Sequence, residues 1–321
     1  MASPGPDALV EALTEFTGIA DKVLESFKAT VIARPTPSPI YHYTSDVGLR
    51  EMLYSGRIWL SDIFHLNDPS ELYHGFSHAV RILKEKTEAG PPEAQLFAGI
   101  FKDTLESRLP KSLQFFSCSF STNGDELGQW RAYADNGRGY ALGFDGKVLE
   151  TAFGAADAHN SAYHMSYDDA ALTRVQETIV EGLLDFINVE SLTRRWGDRV
   201  DRTMLPGYMR RLAVILAASA IEAALFFKHE AYANEAEYRF RQLFSAKDVL
   251  PSLKHRFRSS EMVKYQEFDW RSAGAGMLKK IVVGPAIDPG KGKMFVENCL
   301  AKFHSEPVEV VISGIPYRVH N

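Results

Sequence analysis

The chain has 321 residues, 45% hydrophobic and 12% aromatic, enough for a sizeable core and long enough for two domains or one domain with a large insertion. Its 36 basic and 41 acidic residues leave a formal net charge of -5, so no global field favours nucleic acid. Two cysteines, Cys118 and Cys299, exclude a disulfide framework and fit a reducing, cytoplasmic compartment.

The first residues, "MASPGPDALVEALTEF", lack the basic and apolar regions of a secretory leader. Residues 7–32 read as one amphipathic helix, which "ARPTPSPI" ends, because three prolines in five residues fix the backbone and remove donors. "IYHYTS" is β-rich. A short helix follows in "SDVGLREMLYSGR", with Ser45 or Asp46 as N-cap and Gly56 as stop, then a strand in "RIWLSD". "FHLNDPSELYHG" reads as a loop closing into a helix, with Asp68 as cap and Pro69 at its first position; residues 71–107 read helical with a break at "GPPE". Two strands, "LQFFSCSFS" and "RGYALGFD", flank a short helix in "TNGDELGQWRAYADNG". Residues 147–232 read mostly helical. Their most apolar run, Leu212 to Phe227, is shorter than the roughly 20 residues of a membrane span and contains Glu222, so it is expected to be a buried helix and no membrane partner is expected. Strand character returns in "AEYRFRQLF", "VKYQEFDW", "LKKIVVGP" and "EVVISGIPYRV". This order predicts an α+β fold with an N-terminal helix and Pro-rich linker over 1–38, the first half of the core over 39–146, a helical insertion over 147–232 and the second half over 233–321.

Several familiar motifs fail. "GRGYALG" has the wrong spacing for a dinucleotide fingerprint and enters a strand, and "PGKGK" is not a phosphate-binding loop. Glu71, His74 and His78 fall on one helix face and, with His65, could ligate a metal, but surface or packing histidines account for them better, and no metal is expected. Cys118 in an apolar strand reads as a core residue.

Other residues accumulate into a site. His42 and Thr44 share a strand face, although a lone histidine there is more often structural. Ser117, Ser119 and Ser121 set a row of hydroxyls on another strand. Gln129, Trp130, Arg131 and Tyr133 bring planar faces and polar tips to one short helix; a binding site would use them, as would a buried aromatic cluster. Read as a strand, "NEAEYRFR" aligns Glu235, Glu237, Arg239 and Arg241 on one face, either as a site or as a solvated sheet surface whose arginines neutralise carboxylates.

The succession "YHYTS…RIWLSD…NDPSE", "FSCSFS…QWRAYADNGRGYALGFD" and "EAEYR" resembles the bacterial family filed as domain of unknown function 2971, over most of residues 39–320. More distantly, "HYT", "GLREMLYSG", "RIWLSD" and the late Glu235-Ala236-Glu237 resemble ADP-ribosyltransferases of the histidine–tyrosine–glutamate type, with an opening like that of DarT-type DNA-modifying toxins. That resemblance implies two small curved sheets in a split core, and NAD as a substrate, consumed by ADP-ribosyl transfer or by hydrolysis. It implies Glu237 facing the developing positive sugar, His42 with Thr44 holding ribose or the nicotinamide amide, and Tyr133 or Trp130 stacking on nicotinamide. Arg131 would pair with pyrophosphate, and Glu235 would serve an acceptor, protein or nucleic acid. Either "FSCSFST", with Ser119 at its centre, or Tyr133 fills the middle motif. A part in toxin–antitoxin systems or phage defence follows from the resemblance alone. The rival readings are a non-catalytic nucleotide- or ligand-binding module and a metal-dependent hydrolase built on Glu71, His74, His78 and His65. The arginines of the insertion, Arg194, Arg195, Arg199, Arg202, Arg210 and Arg211, could meet a polynucleotide, but with Asp198 and Asp201 among them they read better as a solvated helix surface.

Overall fold

The computed structural model describes residues 8–32, 34–65, 70–108, 114–244, 248, 253–258 and 261–317, with side chains for all of these but 32, 65, 70–74, 107, 108 and 258. The chain forms two compact units, each assembled from three separate stretches: residues 1–33, 68–113 and 166–230 make the first, and 34–67, 114–165 and 231–321 the second.

The first unit is helical. It contains α1 (Ala8–Ile32), α3 (Ser70–Thr87), α4 (Pro92–Asp103), α7 (Asp169–Ile187), α8 (Val189–Trp196) and α9 (Leu205–Ala224). The helical layer is therefore not one insertion. The N-terminal helix and residues 68–113, which sequence order assigns to a separate N-terminal segment and to the core's first half, pack with it because their apolar stripes need the same partner. Leu9, Ala12, Phe16, Ala20 and Leu24 of α1 are buried, and Phe16 meets Phe186 of α7 at 5.8 Å between ring centroids. The apolar α9 lies inside this unit with Leu212, Ala213, Leu216, Ala217 and Ala220 buried, and its Glu222 pairs with Lys28 of α1. By length and composition it is a candidate span; its packing is that of a core helix.

The second unit holds a large, open, mostly antiparallel sheet, giving the α+β architecture. Its strands are β1 (Ile40–Thr44), β2 (Arg57–Asp62), β3 (Gln114–Ser121), β4 (Tyr140–Phe144), β5 (Asn160–His164), β6 (Glu237–Phe244), β7 (Lys254–Arg258), β8 (Glu261–Asp269), β9 (Leu278–Val283) and β10 (Glu309–Ile312). Helices α2 (Asp46–Ser55), α5 (Leu127–Tyr133), α6 (Gly146–Ala156) and α10 (Pro289–Phe303) belong to the same unit. The expected caps of α2 are present: Ser45 accepts from the Gly48 N–H, and Gly56 closes the helix at φ 69°, in the left-handed region that glycine adopts without penalty. The expected cap at Asp68 lies outside the described residues.

One hydrogen-bonded sheet replaces the expected pair of small sheets, in the order β10-β9-β4-β1-β3-β2-β8-β7, with β6 between β3 and β5. Two of its strands, β5 and β7, are absent from the sequence reading. The "NSAYH" of β5 sits within the stretch read as helical insertion, and both strands are short and strongly polar.

The sheet branches at β3. Strand β6 follows one edge of β3 along its whole length, while β1 and β2 divide the other. On that edge β1 meets β3 at Ser121, β2 meets it at Phe116 and Ser117, and Cys118 to Phe120 lie in the fork between them. One face of the sheet is apolar, with Ile40, Phe116, Phe120, Phe144, Tyr238 and Phe240 in the main core. Opposite it, Tyr43, Trp130, Ala134, Ala141 and Val282 close a smaller core under α5.

Candidate functional site

The residues left over from both cores form three rows across the polar face. Directly opposed positions on neighbouring strands share a face. Tyr41, Ser121 and Glu237 make one row. Ser119, Arg239 and Tyr163 make the second, and Ser61, Ser117, Arg241 and Ser161 the third. Apart from Gln114 and Gln242, the even-numbered residues of β3 and β6 are core aromatics plus Cys118, which is why the odd-numbered hydroxyls and charges emerge together on the other face.

Glu237 is only 3% exposed. Its Oε1 accepts from Ser119 Oγ at 2.6 Å and from Arg239 Nε at 2.6 Å, and Arg239 is itself 1% exposed. Arg239 thus meets a carboxylate of its own strand. A buried carboxylate held by a guanidinium and a hydroxyl is rigid and fixed in direction.

His42 approaches the same serine by another route. Opposite Leu142 in register, it belongs to the face that carries Phe120, on the other side of the sheet from Glu237. At the fork its ring turns toward the β3 backbone, with Nδ1 3.2 Å from the Ser119 carbonyl and 3.6 Å from Cys118 Sγ. A carbonyl can only accept, so Nδ1 carries the hydrogen and Nε2 is the acceptor nitrogen. Burial lowers the His42 pKa; the Ser119 hydrogen bond opposes that shift and the Arg256 charge adds to it, so the ring is neutral at pH 7. The Cys118 thiol is pushed far up by burial and by the Glu237 charge, which makes it an inert core group.

Glu235 is not one pleat outward on the strand. It ends the short helical turn Glu230–Glu235, and Ala236 at φ 45° separates it from β6. Its carboxylate accepts from Tyr133 Oη at 2.9 Å and its backbone carbonyl accepts from Ser121 Oγ at 2.8 Å. Tyr133 is therefore tied to the end of the sheet where Glu237 stands.

The remaining sequence candidates lie elsewhere. Trp130 is fully buried, edge-on to Tyr43 at 4.8 Å, with Nε1 donating to Asp125; no face of its ring is left for a ligand. Arg131 is exposed on α5. Thr44 ends β1 with its hydroxyl over Gly48 in the first turn of α2. The side chains of His65, Glu71 and His74 lie outside the described residues, and His78 Nδ1 is 3.0 Å from Thr173 Oγ1 in the helical unit. Of the insertion arginines, Arg195 and Arg199 pair with Glu15 and Glu11 of α1.

Sequence reasoning missed Ser61, Arg256, Ser161 and Tyr163. Arg256 Nη2 donates to Ser61 Oγ at 2.8 Å, Arg241 Nε donates to Ser161 Oγ at 3.2 Å, and the Arg241 guanidinium lies over the Tyr163 ring at 5.4 Å. The basic and aromatic alternation of "KHRFR" is the signal that would have pointed to β7.

Residues 129–240 match the family model described as protein of unknown function (DUF2971). The matched stretch begins in α5 and ends on β6, so it contains Tyr133, Glu235, Glu237 and Arg239. No curated protein and no solved structure matches the chain significantly.

Proposed function

We propose that this chain, whose residues 129–240 match the DUF2971 family model, binds NAD at the branched end of its sheet and breaks the bond between nicotinamide and ribose. The observation that carries the reading is the convergence on Ser119: Glu237 takes its hydroxyl and His42 its carbonyl, so residues nearly 200 positions apart are fixed to one point of β3. The fork, where β1 and β2 part on one edge of β3 within one continuous sheet, is the feature that supports a relation to the ADP-ribosyltransferase fold.

Breaking that bond leaves positive charge on the sugar, and a fixed carboxylate beside it lowers the barrier electrostatically. Glu237 has that role. The neutral His42 offers Nε2 to a donor on the substrate, and Tyr133, half-buried and held by Glu235, supplies the aromatic face that Trp130 cannot. Water as acceptor gives nicotinamide, ADP-ribose and a proton; a nucleophile on a protein or nucleic acid gives the ADP-ribosylated product and a proton. A glycohydrolase and a transferase share this first bond cleavage.

A second reading, a nucleotide-binding module without turnover, is favoured by the Glu237–Arg239 ion pair and by the opposite sheet faces of Glu237 and His42. Incubation of the protein with NAD labelled in its adenylate separates the two. Catalysis releases nicotinamide together with labelled ADP-ribose or a labelled macromolecule; NAD that binds and is recovered intact overturns the first reading in favour of the second.

A further inference from the structure

We infer that Ser61 and Ser117 form the floor of a diphosphate subsite, flanked by Arg241 and Arg256, on the same face as Glu237; as a subsite for NAD it rests on the function proposed above. Ser117 is 3% exposed and its Oγ has no hydrogen-bond partner among the described residues. Ser61, directly opposite on β2 and also buried, accepts from Arg256, and its own hydroxyl hydrogen has no acceptor among those residues. Two adjacent buried O–H groups with nothing to donate to are costly and call for an acceptor-rich ligand.

The neighbours set the charge of that ligand. Arg241 stands opposite Ser117 on β6, its guanidinium steered by Ser161 and Tyr163, and Arg256 approaches from β7 on the other side of Ser61. Opposed positions on adjacent strands are about 5 Å apart, which suits two linked phosphoryl groups, one over each serine. Guanidinium forks recognise phosphoryl oxygens in pairs, and a group offering only acceptors matches hydroxyls that still have a hydrogen to donate. The face reaches solvent at Ser119 and at the half-buried Arg256, so a ligand can enter there. Across β3 the subsite is one row removed from Ser119 and two from Glu237, a spacing that sets the diphosphate on one side of Ser119 and the reacting carboxylate on the other. This places the pyrophosphate away from Arg131, the partner that the family resemblance implies for it.

Isothermal titration of the full chain with ADP and with inorganic pyrophosphate tests the site, using Ser117→Ala and Arg256→Gln. Both probes are expected to bind the wild type and to bind each variant at least about tenfold more weakly, the factor that corresponds to losing one or two hydrogen bonds. Without ligand, Ser117→Ala should melt at or above the wild-type temperature, because the hydroxyl it removes has no partner among the described residues. No binding to the wild type, or equal binding to wild type and both variants, overturns the inference. ADP binding that depends on Ser117 and Arg256 in a protein that leaves NAD intact keeps the subsite and removes the proposed reaction. NAD turnover with an unchanged KM in both variants keeps the reaction and removes the subsite.

Discussion

Glu237 carries two physical burdens that substitutions can separate. As a buried partner of Arg239 it holds the fold, and removing one member of such a pair leaves the other charge uncompensated. Glu237→Gln should therefore lower stability by about 3 kcal/mol in denaturant unfolding. As an electrostatic stabiliser it should also lower NAD cleavage about 10²-fold or more. The double variant Glu237→Gln with Arg239→Gln removes both charges. It should recover most of the lost stability and none of the lost turnover. If turnover returns along with stability, the carboxylate acts only through the fold. The histidines titrate in opposite senses. His159 is raised chiefly by its hydrogen bond to Asp157, with Asp248 adding to the shift, so its contribution is complete below about pH 6.5 and fades as pH rises through the higher folded value. His42 is lowered by burial, so its contribution is complete above about pH 6.5 and is lost as pH falls through the folded value. Melting temperatures from pH 5 to 8 should show the gap between wild type and His159→Gln widening toward acid and the gap to His42→Gln narrowing there. Parallel curves for the two variants contradict both assignments.

Ala236 shows why the sequence pattern was only partly legible at the scale of elements. Alternation in "NEAEYRFR" correctly placed Glu237, Arg239 and Arg241 on one face, because residues within a ladder have no choice of side. It misplaced Glu235, because the strand begins at Glu237 and the chain turns just before it. The left-handed position falls on neither a glycine nor the nearby Asn234; an alanine takes φ 45°, a conformation that costs an L-residue about 1–2 kcal/mol. The short strands β5 and β7 were missed for a related reason. Their "NSAYH" and "KHRFR" lack an apolar stripe, since partners in the sheet rather than a core face hold them. Helices and strands bounded by strong local signals, such as α2 between Ser45 and Gly56, were legible throughout. Ala236→Gly should leave stability unchanged or raise it by up to about 1 kcal/mol, the relief of left-handed strain outweighing the added freedom of the unfolded chain. Ala236→Val should lower it. A clear loss of stability in Ala236→Gly, measured by denaturant unfolding, would show that the methyl group packs rather than strains.

At the scale of the whole molecule, connectivity was the least legible feature. Periodicity reports which face of a helix is apolar but not which other helices share its core, so residues 1–38 read as an N-terminal helix and linker apart from the core and residues 147–232 as a helical insertion. Three separated stretches make each unit instead, and α1 is as much a core helix as α9. Its Phe16 is fully buried and meets Phe186 of α7, while Phe27 stacks on Phe227 at 5.1 Å after α9. If α1 were an appended helix, shortening Phe16 would change stability by a few tenths of a kcal/mol, as at an ordinary surface site. As a core residue, Phe16→Ala should cost about 3–5 kcal/mol through lost burial and the cavity left behind. The loss should be read where it falls, by amide hydrogen exchange: α7 and α9, which share that core, should lose protection together with α1. Wild-type protection in α7 alongside a destabilised α1 would mean that the N-terminal helix frays on its own, and would return residues 1–33 to the status of an appendage.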